Sequence, residues 1–175
     1  MHNDGRATLL PVTEVMTTSG KVATRLPEEL TSSPLFLLKR LGMSAKERSF
    51  SAYEELGLHP YHHAILAVLD EGTRETQGSI ADSLGYDRGQ LVGLLDELET
   101  AGLVQRRRDP ADRRRHVVEM TATGRTTLAK LRSLAKSLEE DFLAPLDERE
   151  RKVLHTLLLE LAEAHLPTCR RELAG

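Results

Sequence analysis

The sequence predicts a mostly helical chain with one small β-hairpin. Its 175 residues are enough for one compact core with an appended element. Aromatic residues make up 3% and Trp is absent, while Leu and Ala dominate the apolar set, a composition that suits packed helices better than a sandwich or barrel. Apolar residues recur three or four positions apart through most of the chain. The exception is a pair of short runs, Leu103-Val104-Gln105-Arg106 and His116-Val117-Val118-Glu119-Met120, on either side of a charged turn around Pro110.

Residues 1–30 carry Pro11, Thr17-Thr18-Ser19-Gly20 and Pro27 without a sustained period, and are expected to be a flexible or loosely docked extension. Ser33-Pro34 offers a cap with proline at the first helical position. Helical spacing then runs through Leu35, Leu38, Ala45, Phe50 and Tyr53 to Gly57, weakened at Gly42. Residues 31–58 are therefore the first long helix. Pro60 opens a second helix with Ile65, Leu66, Val68 and Leu69, which Gly72 ends. Thr76 caps a short helix holding Ile80, Ala81 and Leu84 up to Gly85. Asp87, with Gln90 three positions on, caps another whose stripe is Leu91, Leu94, Leu95 and Leu98, up to Gly102. Two short helices joined near a glycine, followed by a hairpin, give a winged helix-turn-helix over residues 59–121.

Residues 122–175 complete the chain. Thr121 caps a long helix through Leu128, Leu131, Leu134, Leu138 and Phe142, stopped by Pro145. Asp147 with Glu150 starts a last helix carrying Val153, Leu154, Leu157, Leu158 and Leu161. The terminal helices bear more apolar surface than one small winged domain can cover, so N- and C-terminal dimerisation helices in a homodimer are expected.

The net charge is −3, but it is unevenly spread. Val104 to His116 holds six Arg and two Asp, a local +4, leaving −7 elsewhere. A positive strip on an acidic body is the footprint of a protein that meets phosphate with one face. The single Cys169 excludes an intramolecular disulfide and fits an incidental thiol better than a redox switch. No apolar run approaches the roughly 18 residues of a membrane span, and Asp4, Arg6 and Glu14 interrupt the start of the chain, unlike a secretory signal. A cytoplasmic protein without membrane contact is expected.

Asp109-Pro110-Ala111-Asp112-Arg113-Arg114 followed by Met120-Thr121-Ala122-Thr123-Gly124-Arg125 closely resembles the wing and next helix of the multiple-antibiotic-resistance regulator (MarR) family. Ile80-Ala81-x-x-Leu84-Gly85 resembles the first helix of that family's helix-turn-helix, Leu98-Glu99-x-x-Gly102-Leu103-Val104 the exit from its recognition helix, and Gly57-Leu58-x-Pro60 its junction between dimer helix and winged domain. The resemblance runs in order over about residues 33–166, with the wing as its most specific part. It implies a ligand-responsive homodimer that binds pseudo-palindromic double-stranded DNA, commonly as a repressor, and is released by a small aromatic or phenolic effector.

On the recognition helix the leucine stripe leaves Arg88, Gly89, Gln90, Val92 and Gly93 on the open side. Arg can bind guanine, Gln adenine, and Val92 can pack on a thymine methyl, whereas the plainer roles are phosphate contact for Arg88 and capping for Gln90. Gly89 and Gly93 depart from the family's small hydroxyl and basic residues. Each costs about 1 kcal/mol of helix stability relative to Ala, and readout then leans on shape, the wing or close backbone approach. In the wing, Arg106 and Arg108 are expected to face phosphate, and Arg113, Arg114 and Arg115 to reach a minor groove. The resemblance implies that Asp112 and Arg114 brace the wing, leaving Arg113 as the groove finger.

His59, His62 and His63 cluster where the second helix starts. A metal site needs further donors, and none lies at a convincing spacing, so no metal or cofactor is assigned. With Phe50, Tyr53 and Tyr61, and with Arg40 or Arg48 supplying charge, they are candidates for an effector pocket, in the region that borders the ligand crevice in the family. An enzyme is disfavoured because no nucleophile–base pair or phosphate loop is present. Two alternatives remain: a winged-helix protein-interaction module, suggested by Asp96, Glu97 and Glu99, and a metal-responsive regulator.

Overall fold

The computed structural model describes residues 15–16, 22–23, 25–72, 75–109 and 116–169. The chain divides into two compact units, residues 1–44 and 45–175. In the first, β1 (Val15–Met16) pairs antiparallel with β2 (Val22–Ala23), and α1 (Glu28–Thr31) makes a single turn. These elements, two to four residues long, fall largely within the N-terminal extension and are too short to leave a period in the sequence. α2 (Pro34–Glu54) begins in this unit, its first turn capped where the Phe36 amide donates to Ser33 Oγ at 3.3 Å, and it runs through Gly42 without a break.

The second unit holds α3 (Pro60–Glu71), β3 (Glu75–Thr76), α4 (Gln77–Leu84), α5 (Arg88–Thr100), β4 (Val104–Arg108), β5 (His116–Met120), α6 (Ala122–Phe142) and α7 (Glu148–His165), followed by a 3-10 turn over Pro167–Cys169. The expected caps are made. Thr76 and Ser79 form a reciprocal capping box, Asp87 accepts from the amides of Gly89 and Gln90, Thr121 from that of Gly124, and Asp147 and Glu150 cap each other's backbone. Gly85 takes the left-handed conformation, φ 64°, that turns α4 into α5. The expected hairpin is the β4–β5 pair, with Arg106 opposite Val118 and Arg108 opposite His116. It gains a third strand, β3, antiparallel to β5 in the order β3-β5-β4.

The core follows from the periods. Ile65 and Leu66 of α3, Ile80 of α4, Leu91, Leu95 and Leu98 of α5, Val118 of β5 and Leu128 and Leu131 of α6 are all but inaccessible to solvent. The fully buried residues of α6 lie in its first half, with Leu134 and Leu138 partly buried against the core further along, and α7 has no buried residue.

Gly124 shows why the stretch after the wing has its composition. The Thr121 amide donates to the Leu103 carbonyl at 3.0 Å and the Thr121 hydroxyl to the Gly102 carbonyl at 2.8 Å, which pins the start of α6 against the exit of α5. A Cβ on Gly124 would collide with the Leu103 carbonyl oxygen and the Met120 side chain. Rigid backbone cannot yield as a flexible side chain can. Gly124→Ala should therefore lower folding stability by about 1–3 kcal/mol, the usual cost of overpacking, although alanine is the better helix former. Urea unfolding of the two proteins measures this, and equal stability would contradict the close approach.

Candidate nucleic-acid interface

α5 is held by one face and open on the other. Leu91, Leu94, Leu95 and Leu98 are buried, while Arg88, Gly89, Gln90, Val92 and Gly93 are all exposed. The structure thus brings the predicted recognition residues together on one surface. It also accounts for Gly89: a Cβ there would lie 3.0 Å from the Asp87 Oδ1 that caps the helix, so a side chain would press on the cap. At Gly93 nothing lies within 4 Å of the missing Cβ, and the helix backbone is open to close approach.

The arginines of β4 divide into different roles. Arg106, expected from the sequence to face phosphate, is instead turned onto α5. Its guanidinium pairs with Asp96 and with Glu99 at 3.7 Å and reaches the Val92 carbonyl, while its backbone amide donates to Glu99 Oε1 at 3.0 Å. The physical reason is the strand's position beside the acidic half of α5, where two carboxylates attract the nearest cation. Arg107 crosses to Glu119 at 3.4 Å on the neighbouring strand. Arg108 is exposed at the outer end of β4. Asp112, Arg113, Arg114 and Arg115 lie outside the described residues.

The residues proposed from the sequence as pocket lining form two ring clusters. In one, Phe50 stacks on His59 and meets Tyr61 edge-on, His59 stacks on His62 with centroids 3.8 Å apart, and Tyr61 meets Tyr86 edge-on. In the other, Tyr53 is buried, with its hydroxyl 2.7 Å from His63 Nδ1. Arg48 sits over the Phe142 ring at 5.4 Å, and Arg40 is exposed on α2 in the first unit. The residue that sequence reasoning missed is Glu97. Its Oε2 lies 2.9 Å from His62 Nε2 and 3.5 Å from His59 Nε2. The signal for it was slight: a carboxylate on α5 immediately before the buried Leu98, so on the flank of the stripe rather than opposite it.

His62 is 3% exposed, and burial pushes its imidazole below the ordinary histidine range; the neighbouring His59 adds to this, and Glu97 only partly offsets it. Burial also lowers His63, helped by the charge of Arg132. The folded chain therefore holds fewer protons on these rings than the unfolded chain. Their contribution to stability is intact above the unfolded histidine pKa of about 6.5 and is lost as the pH falls from there toward the folded-state values. Denaturant unfolding between pH 7.5 and 5.5 should show this decline, and it should flatten in the His62→Gln/His63→Gln variant. An unchanged slope in that variant would assign the acid sensitivity elsewhere.

A family model described as the MarR family matches residues 56–115. The putative transcriptional regulatory protein for the hcr operon of Thauera aromatica is 32% identical over 105 residues, 60% of this chain and 63% of that protein, so the match spans less than two thirds of this relative. Among solved structures, the transcriptional repressor CouR bound to a 23-mer DNA duplex is 33% identical with a TM-score of 0.72, covering 79% of this chain and 99% of that one. CouR from Rhodococcus jostii RHA1 bound to p-coumaroyl-CoA is 27% identical with a TM-score of 0.68, covering 81% and 97%. These relatives are regulators and not enzymes. No helix among the described residues is long and apolar enough to cross a membrane. The α4–turn–α5 pair, the β4–β5 wing and these matches agree, and the chain belongs to the MarR family of transcription regulators.

Proposed function

We propose that this regulator is a cytoplasmic repressor that binds a pseudo-palindromic operator as a homodimer and is released by a small aromatic or phenolic molecule. The observation that carries the DNA reading is the open face of α5, with Arg88, Gly89, Gln90, Val92 and Gly93 exposed above a fully buried leucine stripe. The N-terminal residues of a recognition helix are the ones that meet base edges in the major groove. Arg108 and the run Arg113, Arg114 and Arg115 add charge for phosphate and the minor groove, with Asp112 and Arg114 as the wing's brace. CouR, the similar chain bound to a DNA duplex, supports the same use of the surface. The protein-interaction alternative, suggested by Gly93 and the acidic residues, is weakened because Asp96 and Glu99 are engaged by Arg106 and Glu97 faces two histidines.

Dimerisation is supported by helices that lack a cover of their own. α7 exposes Val153, Leu157, Leu158 and Leu161, and the first half of α2 exposes Leu35, Leu37, Leu38 and Leu41. A second copy would bury both sets and place two recognition helices about 34 Å apart, one turn of duplex. The effector reading is supported by the aromatic residues at the start of α3 and by p-coumaroyl-CoA bound to a similar chain.

Sedimentation at micromolar concentration should give twice the chain mass, and Leu157→Asp with Leu161→Asp should give the single chain; a monomeric wild type would reject the dimer. For DNA, anisotropy with fragments flanking the gene, repeated over a salt series, should show an affinity that falls steeply with salt. Arg108→Ala should reduce the logarithmic slope by roughly one per protomer, hence about two per dimer. Absence of binding to any fragment at any salt concentration would return the chain to the protein-interaction alternative.

A further inference from the structure

The two stacked imidazoles and the carboxylate that joins them are not accounted for by packing. His62 is 3% exposed, yet neither of its ring nitrogens makes a hydrogen bond of acceptable geometry with a described residue, and the buried Nδ1 of His59 is likewise unpartnered. His62 Nε2 approaches Glu97 Oε2 at 2.9 Å but off the line of a proper N–H donor, and His59 Nε2 approaches the same oxygen at 3.5 Å. Protons do not satisfy this group well. Two imidazolium rings with centroids 3.8 Å apart would repel each other. With both rings neutral, two nitrogens compete for one carboxylate oxygen while the remaining buried nitrogens go unmatched, each at a desolvation cost.

We propose that His59, His62 and Glu97 bind a divalent transition-metal cation of the zinc type, joining the start of α3 to the recognition helix α5. The donor set is two imidazole nitrogens and one carboxylate oxygen, a combination used by zinc sites that keep a fourth position for water. One donor atom from each residue lies within 4.8 Å of the other two. Donors around a tetrahedral zinc at its usual 2.0–2.2 Å stand about 3.3–3.6 Å apart, close to the 2.9 and 3.5 Å that separate the Glu97 oxygen from the two rings; to aim both in-plane lone pairs at one ion, the stacked rings, 3.8 Å apart and 21° from parallel, must also turn toward each other, and the Glu97 side chain, 60% exposed, can follow. A cation on the Nε2 side would engage the one buried Nε2 that lacks a partner, that of His62. This site goes beyond the proposed DNA and effector binding and does not depend on either.

The test uses Co2+ as a spectroscopic probe and Zn2+ as competitor on the metal-freed full chain. One Co2+ per chain should bind with the visible d–d absorption of a four-coordinate nitrogen–oxygen site, without the intense near-ultraviolet band of a thiolate ligand, and Zn2+ should displace it. Glu97→Gln preserves the size of an exposed side chain and should lower the affinity at least tenfold, and His59→Gln likewise. Zn2+ should also raise the thermal midpoint of the wild type and not of Glu97→Gln. Three results would overturn the site: no stoichiometric binding, the same affinity and spectrum in both variants as in the wild type, or a thiolate band that points to Cys169. None of these readouts involves DNA, so failure here and failure to bind an operator are separate outcomes.

Discussion

The structure depends on the complete burial of one side of α5. Leu91, Leu95 and Leu98 are sealed against α3, α4, β5 and α6, with Leu94 almost so. Four buried leucines amount to several times the roughly 1.5–3 kcal/mol that one such side chain contributes, far more than any surface pair in this chain can add. Helix geometry then allows no choice about the rest: positions 88, 89, 90, 92 and 93 must face outward. Asp87 sets where the helix starts, the left-handed Gly85 sets how the chain arrives, and Gly124 lets α6 close on the helix's exit. The face proposed to meet nucleic acid is the complement of a packing decision.

α5 is also polarised along its length. Its first turn offers Arg88, the exposed Gly89 and the positive end of the helix dipole, with the exposed Gly93 in the next turn, all favourable beside phosphate. Its later turns carry Asp96, Glu97 and Glu99, which would repel phosphate if they faced it. Two of them are matched from within the protein, Asp96 and Glu99 by Arg106, and Glu97 faces the rings of His59 and His62. Partly exposed ion pairs of this kind contribute little to stability. Their consequence is geometric, because the Arg106 side chain and backbone hold the first strand of the wing to the helix at several points and so fix the two elements relative to each other.

Signals confined to a few neighbouring residues were legible in the sequence. Ser33, Thr76, Asp87, Thr121 and Asp147 cap the helices they were expected to cap, and the α5 stripe is buried residue for residue. The two-residue β1, β2 and β3 were not legible, because alternation cannot be recognised over two positions. Nor were the roles of Arg106 and Glu97. Both lie on surfaces that helix and strand periodicity correctly identify as polar, but their partners are seven and more positions away and are chosen by tertiary packing. A local pattern says that a charge is outside the core. It does not say whether that charge faces solvent or another element.

That difference matters most at the start of α3. The histidines there attach to α5 through Glu97, one residue from the buried Leu98, and they stack with Phe50 near the end of α2. A ligand that alters these contacts acts on α5 only if it binds two positions of that helix with different affinities. Here the contact is a single exposed carboxylate on an otherwise immobile stripe, so the helix itself can shift only if its leucines move with it. A displacement at this junction therefore favours motion of α5 as a rigid body with its core over any bending within it, since close-packed interiors resist continuous deformation. Reciprocity follows from the same linkage: whatever the junction's ligand does to the affinity for DNA, DNA must do to the affinity for the ligand.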